Sequence, residues 1–428
     1  MNIAVIGSGI SGLSAAYFLA QNGAHRVSLF EADDRVGGHT NTIEVPLAEG
    51  GTQPVDTGWI VYNGTNYPNL TALFDELAVV TRPTGMSFAV SLGDGAYEWK
   101  GSDQLFTVFA QASNFFNLRH YRLVFDILRL NRRAKQLLAA GTLPTGSLGD
   151  WLVAEGFSRE LMSRYLLPMA GLIWSCSPLK AAEYPVDDFM RFFDSHSLFN
   201  TLDQPQWRVV KGGSSQYVKA LLRDFEGQLH RNTPVRRITR TGEGVTLSLD
   251  DGQRRFDRVV CATHSDQALA LLDAPSDAER KVLAGMPYNA SRCVLHTDTS
   301  FLPRRKLAWG AWNYLHPNDD IHDLPISGSY WMNALQHIPG PVEYIVTLNP
   351  QRDIPADKIL YETVYHHPHY GPESTRAHAE LPGIQGNGGL WWAGAWTGFG
   401  FHEDGLKSGL RVVQGIDAAC LPEWASGL

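Results

Sequence analysis

The sequence predicts an α/β fold in which a nucleotide-binding domain is built from separated segments and an α+β domain is inserted between them. The main evidence is the order at the start of the chain. An apolar run at 2–6, a glycine turn, a helical stretch and a second apolar run at 26–30 follow one another as in a βαβ unit. Glycine-rich segments return near 212 and 394, after helical periodicity from 101 to 204. The 428 residues suffice for two such cores.

The first glycine turn has the spacing of a dinucleotide-binding loop. Gly7 permits the tight turn, Gly9 lets the backbone approach a pyrophosphate, and Gly12 lets the helix pack closely on the strand. Backbone N–H groups around Ser11 then face the diphosphate charge. Glu31 ends the second apolar run, where a carboxylate accepts hydrogen bonds from a ribose diol. These residues predict a dinucleotide site and leave NAD(P) and FAD open.

A second glycine turn, Arg35-Val36-Gly37-Gly38-His39-Thr40, follows Glu31 directly. It resembles the E-x(3)-R-x-G-G extension of the flavoprotein superfamily that contains flavin amine oxidases, protoporphyrinogen oxidases and phytoene desaturases. The resemblance implies FAD, bound non-covalently, with the second turn around the diphosphate and the flavin end. The residues that it assigns to the cofactor here are Arg35, Gly37, Gly38, His39 and Thr40.

Four later segments resemble further FAD elements of that superfamily. Residues 55–62 resemble the D-x-G segment beneath the flavin ring, 233–235 the segment at the adenine, and 262–264 the element on the diphosphate side. Residues 392–409 resemble the C-terminal motif, in which an acid near a helix start holds the ribityl or diphosphate, although Ala395 replaces the usual polar residue. The resemblance assigns Gly58, Trp59, Val235, Ala262, Gly394, Glu403 and Asp404 to the cofactor.

The order of these segments predicts two discontinuous domains. We expect a Rossmann-like FAD-binding domain from residues 1–80, 205–273 and 385–428. Residues 81–204 and 274–384 then form the substrate domain.

A basic amphipathic helix is predicted near 115–138. Arg119, Arg122, Asp126, Arg129 and Arg133 share one helical face by their spacing of three and four, and 119–135 holds six Lys or Arg against one Asp. Two interpretations remain open. The face is either solvated or in contact with anionic phospholipid headgroups.

Composition excludes several classes of protein. A net charge of −8 argues against nucleic-acid binding. The four scattered cysteines fit reduced thiols, and the tract 365–370, with three histidines, is more typical of packing than of a metal site, so we expect no metal. Residues 3–20 lack the basic start of a signal peptide, and no run approaches the roughly 20 apolar residues of a membrane span. We expect a cytoplasmic protein that can lie peripherally on the inner face of the cytoplasmic membrane.

Much of the chain also resembles a bacterial subgroup that includes the methylated fatty acid desaturase of furan fatty acid synthesis. The matching stretches are 55–63, 67–70, 86–88, 173–175, 207–213 and 398–409. The resemblance implies a peripheral membrane enzyme that desaturates a methyl-branched acyl chain of a phospholipid by hydride transfer to flavin. Oxidation of a small amine or polyamine is the alternative, and a non-enzymatic flavin protein is the third. The electron acceptor is expected to be dioxygen or another oxidant.

Residues of the substrate site and the catalytic base are predicted from the chemistry of their side chains, since no motif identifies them. Aromatic side chains that could line the substrate site are Trp174, Trp312, Tyr314, Phe399 and Phe401. Candidates for the catalytic base are His402 and His264, each of which could instead be a structural histidine.

Overall fold

The structure is a computed structural model that describes residues 1–102, 105–200 and 204–428, so residues 103–104 and 201–203 of the expected substrate domain lie outside it. Its strands are β1 (Asn2–Ile6), β2 (Arg26–Phe30), β3 (Thr42–Pro46), β4 (Thr52–Asp56), β5 (Val61–Asn63), β6 (Thr81–Thr84), β7 (Phe88–Leu92), β8 (Tyr97–Gly101), β9 (Trp207–Val210), β10 (Gln228–His230), β11 (Arg237–Thr241), β12 (Gly244–Leu249), β13 (Gly252–Phe256), β14 (Arg258–Cys261), β15 (Tyr288–His296), β16 (Trp312–His316), β17 (Gly328–Trp331), β18 (Ile345–Leu348), β19 (Ile359–Pro368) and β20 (Leu390–Trp392).

The α-helices are α1 (Ile10–Ala20), α2 (Pro68–Glu76), α3 (Leu118–Ala140), α4 (Leu148–Ala154), α5 (Arg159–Leu161), α6 (Leu167–Trp174), α7 (Pro178–Ala182), α8 (Val186–Ser195), α9 (Ser215–Arg223), α10 (Ser265–Leu271), α11 (Asp277–Ala284), α12 (Met332–Gln336), α13 (Pro372–Glu380) and α14 (His402–Ile416). Short 3-10 segments include Leu105–Phe109 and Ala112–Phe116, directly before α3. Among the described residues, no helix is both long and apolar enough to cross a membrane.

A five-stranded parallel sheet forms the first layer, in the order β10-β2-β1-β14-β20. Its strands come from three separated parts of the chain. Residues 3–6 of β1 are buried, as expected for a parallel strand covered on both faces. All eleven residues of α1 are buried because this helix packs between the sheet and α14. The predicted α/β fold is confirmed.

The second large sheet has seven strands in the order β19-β15-β18-β17-β16-β7-β8. Its neighbours are antiparallel except for β16 and β7, which run parallel. Helices α3 to α8 lie in sequence between β8 and β9, and a short sheet β5-β9-β6 returns the chain towards the first layer. The glycine turns follow the carboxyl ends of the parallel strands, which is where ligands bind in such sheets.

Candidate functional site

The glycines of the first turn are required by packing. Gly7 adopts φ +95°, and a Cβ there would lie 2.8 Å from the carbonyl oxygen of Ala262. A Cβ at Gly12 would clash with the carbonyl oxygen of Gly7. Ala262 directly follows β14 and donates its N–H to the carbonyl oxygen of Ile6 at 2.8 Å. This turn therefore closes tightly over β1 and β14, as predicted.

Gly9 differs from Gly7 and Gly12 because neither its backbone conformation nor its packing in the protein requires a glycine. Its φ of −66° suits any residue, and no atom of the described residues lies within 4 Å of a Cβ built there. The open space lies in front of the first turn of α1, whose N–H groups have no intrahelical acceptor. A negatively charged group can therefore approach both the backbone and the positive helix end. Ser11, buried in that turn, lies where the diphosphate was predicted.

The second glycine turn is bonded directly to the first. Gly37 donates its N–H to the carbonyl oxygen of Ser8 at 3.1 Å. A Cβ at Gly38 would lie 2.9 Å from Cα of Gly9, so the two turns touch. Gly37 has φ +125° and Gly38 φ +58°, which favour glycine at both positions.

Arg35 shapes this second turn rather than reaching away from it. Its guanidinium donates to the carbonyl oxygens of Thr40 and Gly38, both at 2.8 Å. These two bonds hold the turn, and a contact of Arg35 with the cofactor stays a prediction.

Glu31 lies beside both turns at the end of β2. One carboxylate oxygen accepts the Ser8 N–H at 3.0 Å and the Ser8 hydroxyl, and the other accepts the Asp33 N–H at 3.1 Å. A carboxylate has about four acceptor sites, so capacity remains for a ribose hydroxyl. Thr233, two residues before buried Val235, donates to the Glu31 carbonyl at 2.9 Å and brings the predicted adenine segment to the same edge.

The D-x-G segment runs alongside the second turn. Trp59 donates its N–H to the carbonyl oxygen of His39 at 2.8 Å, and a Cβ at Gly58 would clash with that oxygen. Asp56 is fully buried and accepts the Ser214 N–H at 2.9 Å, and burial raises the pKa of Asp56 to about 6. This carboxylate joins the segment to the start of α9. Gly394, at φ +155°, lies two residues after β20 and donates its N–H to the Ser408 hydroxyl oxygen at 2.9 Å.

The two acids predicted to bind the cofactor have other partners. Glu403 accepts the N–H groups of Asn69 and Leu70, each at 3.0 Å, and the Asn69 amide at 2.7 Å. It therefore caps the first turn of α2. Asp404 accepts the N–H of Phe401 at 3.0 Å and caps its own helix, and burial raises its pKa to about 6. Both carboxylates thus satisfy helix ends in this structure, and their contact with the cofactor stays a prediction.

His402 is enclosed, which argues against its prediction as a base. Its Nε2 lies 3.0 Å from the Thr40 hydroxyl and 3.1 Å from that of Tyr217, and its ring stacks on Trp59 at 4.3 Å. Burial lowers its pKa to about 3. His402, Thr40 and Trp59, all predicted near the cofactor, thus pack on one another.

Four histidines from three segments meet beside the second turn, and we call them the histidine cluster: His39, His264, His366 and His367. Ring centroids of His39 lie 5.9 Å from His264 and 5.5 Å from His367, and His264 lies 6.3 Å from His366. The sequence analysis interpreted the tract that holds His366 and His367 as a packing feature, and their approach to His39, more than 300 residues away in the chain, is visible only in the structure. His264, the second predicted base, precedes α10 and stacks on Tyr288 at 4.5 Å.

His367 has a defined polar partner. Its Nδ1 lies 3.2 Å from the hydroxyl of Ser175, a residue held at φ +52° by the turn that ends α6. Nε2 of His367 has no hydrogen-bond partner among the described residues. Burial lowers the pKa of His367 to about 4, so the ring is neutral near pH 7.

Several deeply placed side chains keep accessible surface. His39 and His367 are half-buried, yet desolvation lowers both pKa values, that of His39 well below its usual value. Tyr165 and Tyr330 are half-buried as well, and desolvation raises the pKa of Tyr165 to about 12 and that of Tyr330 further. Each of these four side chains therefore combines desolvation with some remaining accessible surface, and that surface borders a space between the side chains around it. We call this space the internal cavity.

The predicted substrate-lining residues fall into two groups. Phe192 joins the first group, since its ring lies 5.2 Å from Trp174, 5.8 Å from Phe399 and 5.3 Å from Phe401. Trp312 belongs to the second group and stacks on Tyr330 at 6.0 Å.

Tyr314 is the exception among them. It is buried, and its hydroxyl lies 3.3 Å from Nε2 of His322. It therefore supports the sheet rather than the cavity wall.

One set of metal-ligand groups is present in the described part of the chain. Ligand atoms of His25, Asp417 and Cys420 lie within 4.8 Å of one another. Nε2 of His25 is 3.1 Å from the Asp417 carboxylate and its Nδ1 is 3.4 Å from the Met1 amino group. Both ring nitrogens thus have hydrogen-bond partners without an ion, and the absence of a metal stays a prediction.

Comparison with known proteins adds a family relationship. Residues 10–358 match the family of flavin containing amine oxidoreductases. A Mycobacterium tuberculosis protein named as a flavin-containing monoamine oxidase is 29% identical over 295 residues, 66% of this chain and 62% of that protein. The carotenoid phi-ring synthase of Streptomyces griseus is 26% identical over 325 residues, 71% of this chain and 59% of that protein. The chain thus spans less than two thirds of the length of these relatives.

A solved structure shows the same fold over nearly the whole chain. The CLA-producing fatty acid isomerase from P. acnes superposes with a TM-score of 0.69 at 19% identity, covering 97% of this chain and 98% of the other.

Proposed function

Because the chain belongs to the family of flavin-containing amine oxidoreductases, we propose that it is an FAD-dependent oxidoreductase that desaturates an apolar chain. The proposed substrate is a methyl-branched acyl chain of a membrane phospholipid, and dioxygen is the proposed electron acceptor. Oxidation of a small amine or polyamine is the second candidate, since the family name and the monoamine oxidase relative favour it.

The family's cofactor is FAD, and the residues of the site fit it. The open space before Gly9 and the free N–H groups of α1 suit a diphosphate, and Glu31 suits a ribose. The second turn and the D-x-G segment place Gly38 and Gly58 beside them. Bound there, FAD supplies a two-electron oxidation by accepting a hydride from the substrate.

The observation that carries the choice of an apolar substrate is the neutrality of the internal cavity. Desolvation lowers the pKa values of His39 and His367, so both rings are unprotonated near pH 7, and the phenols of Tyr165 and Tyr330 are neutral there as tyrosines ordinarily are. The same low polarity that imposes these shifts makes entry of an ammonium ion costly unless a counter-charge accompanies it. An acyl chain enters such a space without this cost.

Desaturation removes a hydride from one carbon and a proton from its neighbour, and the two electrons of the second C–H bond form the double bond. The proton needs an acceptor inside the cavity. We assign this role to Nε2 of His367, because the ring is neutral, its Nδ1 side lies at Ser175 and its Nε2 has no protein partner among the described residues. A weak base suffices, because a C–H bond beside a carbon that is losing a hydride is strongly acidic. Ser175 acts as the positioning residue for the ring.

Anaerobic mixing of the purified holoenzyme with candidate substrates tests the proposal. Methyl-branched unsaturated phospholipid dispersed in detergent is expected to bleach the oxidised-flavin absorbance, and admission of dioxygen is expected to restore it with release of hydrogen peroxide. Primary amines and polyamines are the matched comparison. Bleaching by amines without bleaching by the lipid would replace this function by amine oxidation.

A further inference from the structure

One segment of the surface concentrates exposed apolar side chains. Of the sixteen large apolar side chains that are exposed in the described part of the chain, seven lie between residues 106 and 128, far more than an even spread would place there. They include every exposed Phe, Tyr or Trp of the described residues. Such a patch on a water-soluble surface marks an interaction site. We call these seven residues the aromatic face: Phe106, Phe115, Phe116, Leu118, Tyr121, Phe125 and Leu128.

Helix α3 sets the direction of this face. Leu118, Tyr121, Phe125 and Leu128 follow a spacing of three, four and three, which places them along one side of the helix. The other side carries buried residues, Leu123 and Leu130 among them, that pack into the core. Phe116, directly before the helix, is 91% exposed.

Two arginines of the charged row 119–133, which was expected to face solvent or lipid, bind protein groups instead. Arg129 donates to the carbonyl oxygens of Glu155 and Gly156 and lies 4.0 Å over the ring of Phe157. Arg133 pairs with the Glu155 carboxylate at 2.8 Å. These two arginines fix the helix to the turn after α4 and leave the outward direction to the aromatic face.

Buried Asp126 belongs to the same packing. Its carboxylate accepts the Ser158 N–H at 2.9 Å. Asp126, Arg129 and Arg133 therefore bind protein groups, whereas the sequence left solvent and lipid headgroups open as the surroundings of this row.

The remaining cations lie around the aromatic face. Arg122 and Arg132 are exposed, and no acidic side chain of the described residues lies within salt-bridge distance of either. Arg132 continues the line of Leu128 by four positions. Arg119, with a side chain 73% exposed, reaches Glu160 only at 3.7 Å. Exposed aromatic rings flanked by free arginines match the interface of an anionic bilayer, because rings settle at the headgroup level and cations bind lipid phosphates.

We infer that the aromatic face docks this protein on a membrane that contains anionic phospholipid. The arginines alone would suit an acidic protein as well as anionic lipid. The exposed apolar side chains favour lipid, because a bilayer accepts rings of several sizes without a matched pocket for each. The face also continues inward. Phe115 stacks on Phe109 at 4.4 Å, Phe109 meets His120 at 5.3 Å, and His120 meets Trp99 at 6.4 Å.

The inward line reaches the internal cavity. Trp99 lies 5.9 Å from Tyr165, one of the cavity residues, and Tyr165 lies 6.2 Å from Phe88. Docking through the aromatic face would bring the bilayer to the outer end of this line of aromatic contacts. That docking supplies acyl chains rests on the proposed function, whereas the docking itself does not.

Vesicle flotation of the full-length holoenzyme tests the inference. Vesicles of phosphatidylcholine with phosphatidylglycerol are expected to carry the protein, and phosphatidylcholine alone or high salt is expected to weaken binding severalfold. Phe116→Ser with Phe125→Ser, and separately Arg122→Glu with Arg132→Glu, are each expected to weaken binding at least tenfold. Thermal unfolding curves confirm that these surface variants remain folded.

Matched controls are exposed residues of the same kinds elsewhere. Leu360→Ser with Val364→Ser on β19 and Arg280→Glu with Arg376→Glu on α11 and α13 are expected to leave binding unchanged. Equal loss in controls and face variants would overturn the docking face. A dimer in light scattering that the Phe116→Ser, Phe125→Ser variant abolishes would assign the face to a second copy and also overturn it.

The two proposals fail separately. Vesicle binding by a holoenzyme that oxidises no acyl chain would keep the docking and remove the proposed function. Oxidation of detergent-dispersed phospholipid by a protein that binds no vesicle would keep the proposed function and remove the docking.

Discussion

Nδ1 of His367 and the hydroxyl of Ser175 lie 3.2 Å apart although 192 residues separate them in the chain. The contact joins the end of α6 to the edge strand β19 of the larger sheet. It fixes one ring nitrogen and leaves the other without a partner among the residues that the structure describes, which is the arrangement that a proton acceptor needs.

We predict that His367→Gln slows flavin reduction by the substrate about 10²- to 10⁴-fold, the usual contribution of a general base. The flavin content and the affinity for substrate should stay unchanged, since glutamine retains size and polarity. Because burial lowers the pKa of His367 to about 4 and the unprotonated ring is the active form, the rate should be constant above about pH 5 and fall as the pH drops through 4. His366→Gln, at the exposed neighbouring position, is the matched control. Equal rates in stopped-flow reduction would assign the proton to another group.

Substitutions of Ser175 separate its hydroxyl from its backbone. Its φ of +52° disfavours residues other than glycine, so Ser175→Gly should leave the protein as stable or stabilise it by up to about 1 kcal/mol. Ser175→Ala keeps the strain and removes the hydroxyl. Both should slow flavin reduction to a similar extent, by less than His367→Gln does. A normal Ala variant beside a slow Gly variant would show that the backbone, and not the hydrogen bond, matters.

Gly9 and Gly12 form a matched pair for the cofactor site. Gly9→Ala meets no protein atom within 4 Å, so thermal unfolding without cofactor should change little, while FAD affinity should fall at least tenfold. Gly12→Ala clashes with the carbonyl oxygen of Gly7 and should destabilise the protein by about 1–3 kcal/mol or more. Calorimetric titration of apoprotein with FAD measures the first effect. Unchanged affinity in Gly9→Ala would mean that the open space is not occupied by the cofactor.

Glu403→Ala should act on folding rather than on the cofactor. Loss of the carboxylate leaves the buried N–H groups of Asn69 and Leu70 unpaired, at about 1–3 kcal/mol for each. Urea unfolding should therefore show a loss of about 3 kcal/mol or more. The folded variant should bind FAD with normal affinity, and Glu423→Ala, an exposed acid, should change neither quantity. Weak FAD binding at normal stability would restore the cofactor role predicted from the sequence.

Stability should rise with pH between about 4.5 and 6.5. Burial lowers the pKa of five histidines to about 3 or 4, so the folded state binds fewer protons than the unfolded state in this window and gains stability as the pH rises. Asp56 and Asp404 oppose this, because burial raises each pKa from 3.8 to about 6 and the folded state holds their protons. Because five histidines act against two aspartates, the free energy of unfolding should increase on balance as the pH rises. Urea unfolding at several pH values measures this increase. A decrease in the free energy of unfolding over this pH range would contradict the lowered pKa values of these histidines. The five histidines are His120, His196, His296, His367 and His402.

The sequence by itself determined the features that depend on near neighbours. The turns at Gly7 to Gly12 and at Gly37 to Gly38, the strands beside them and the helix now seen at Leu118–Ala140 all follow from backbone geometry and periodicity over a few residues. These local features were enough to predict the α/β fold and a dinucleotide site, and the resemblance of the motifs to a flavoprotein superfamily implied FAD.

Only the tertiary structure decided which groups meet across the chain. Glu403 caps a helix that begins at Pro68, the histidine cluster joins segments from 39 to 367, and the outward side of α3 is aromatic because Arg129 and Arg133 are taken by residues 155–157. The spacing along α3 shows which residues share a side, but the side that faces the core depends on which element packs against it. Such choices arise from contacts between segments far apart in sequence, and no local pattern encodes them.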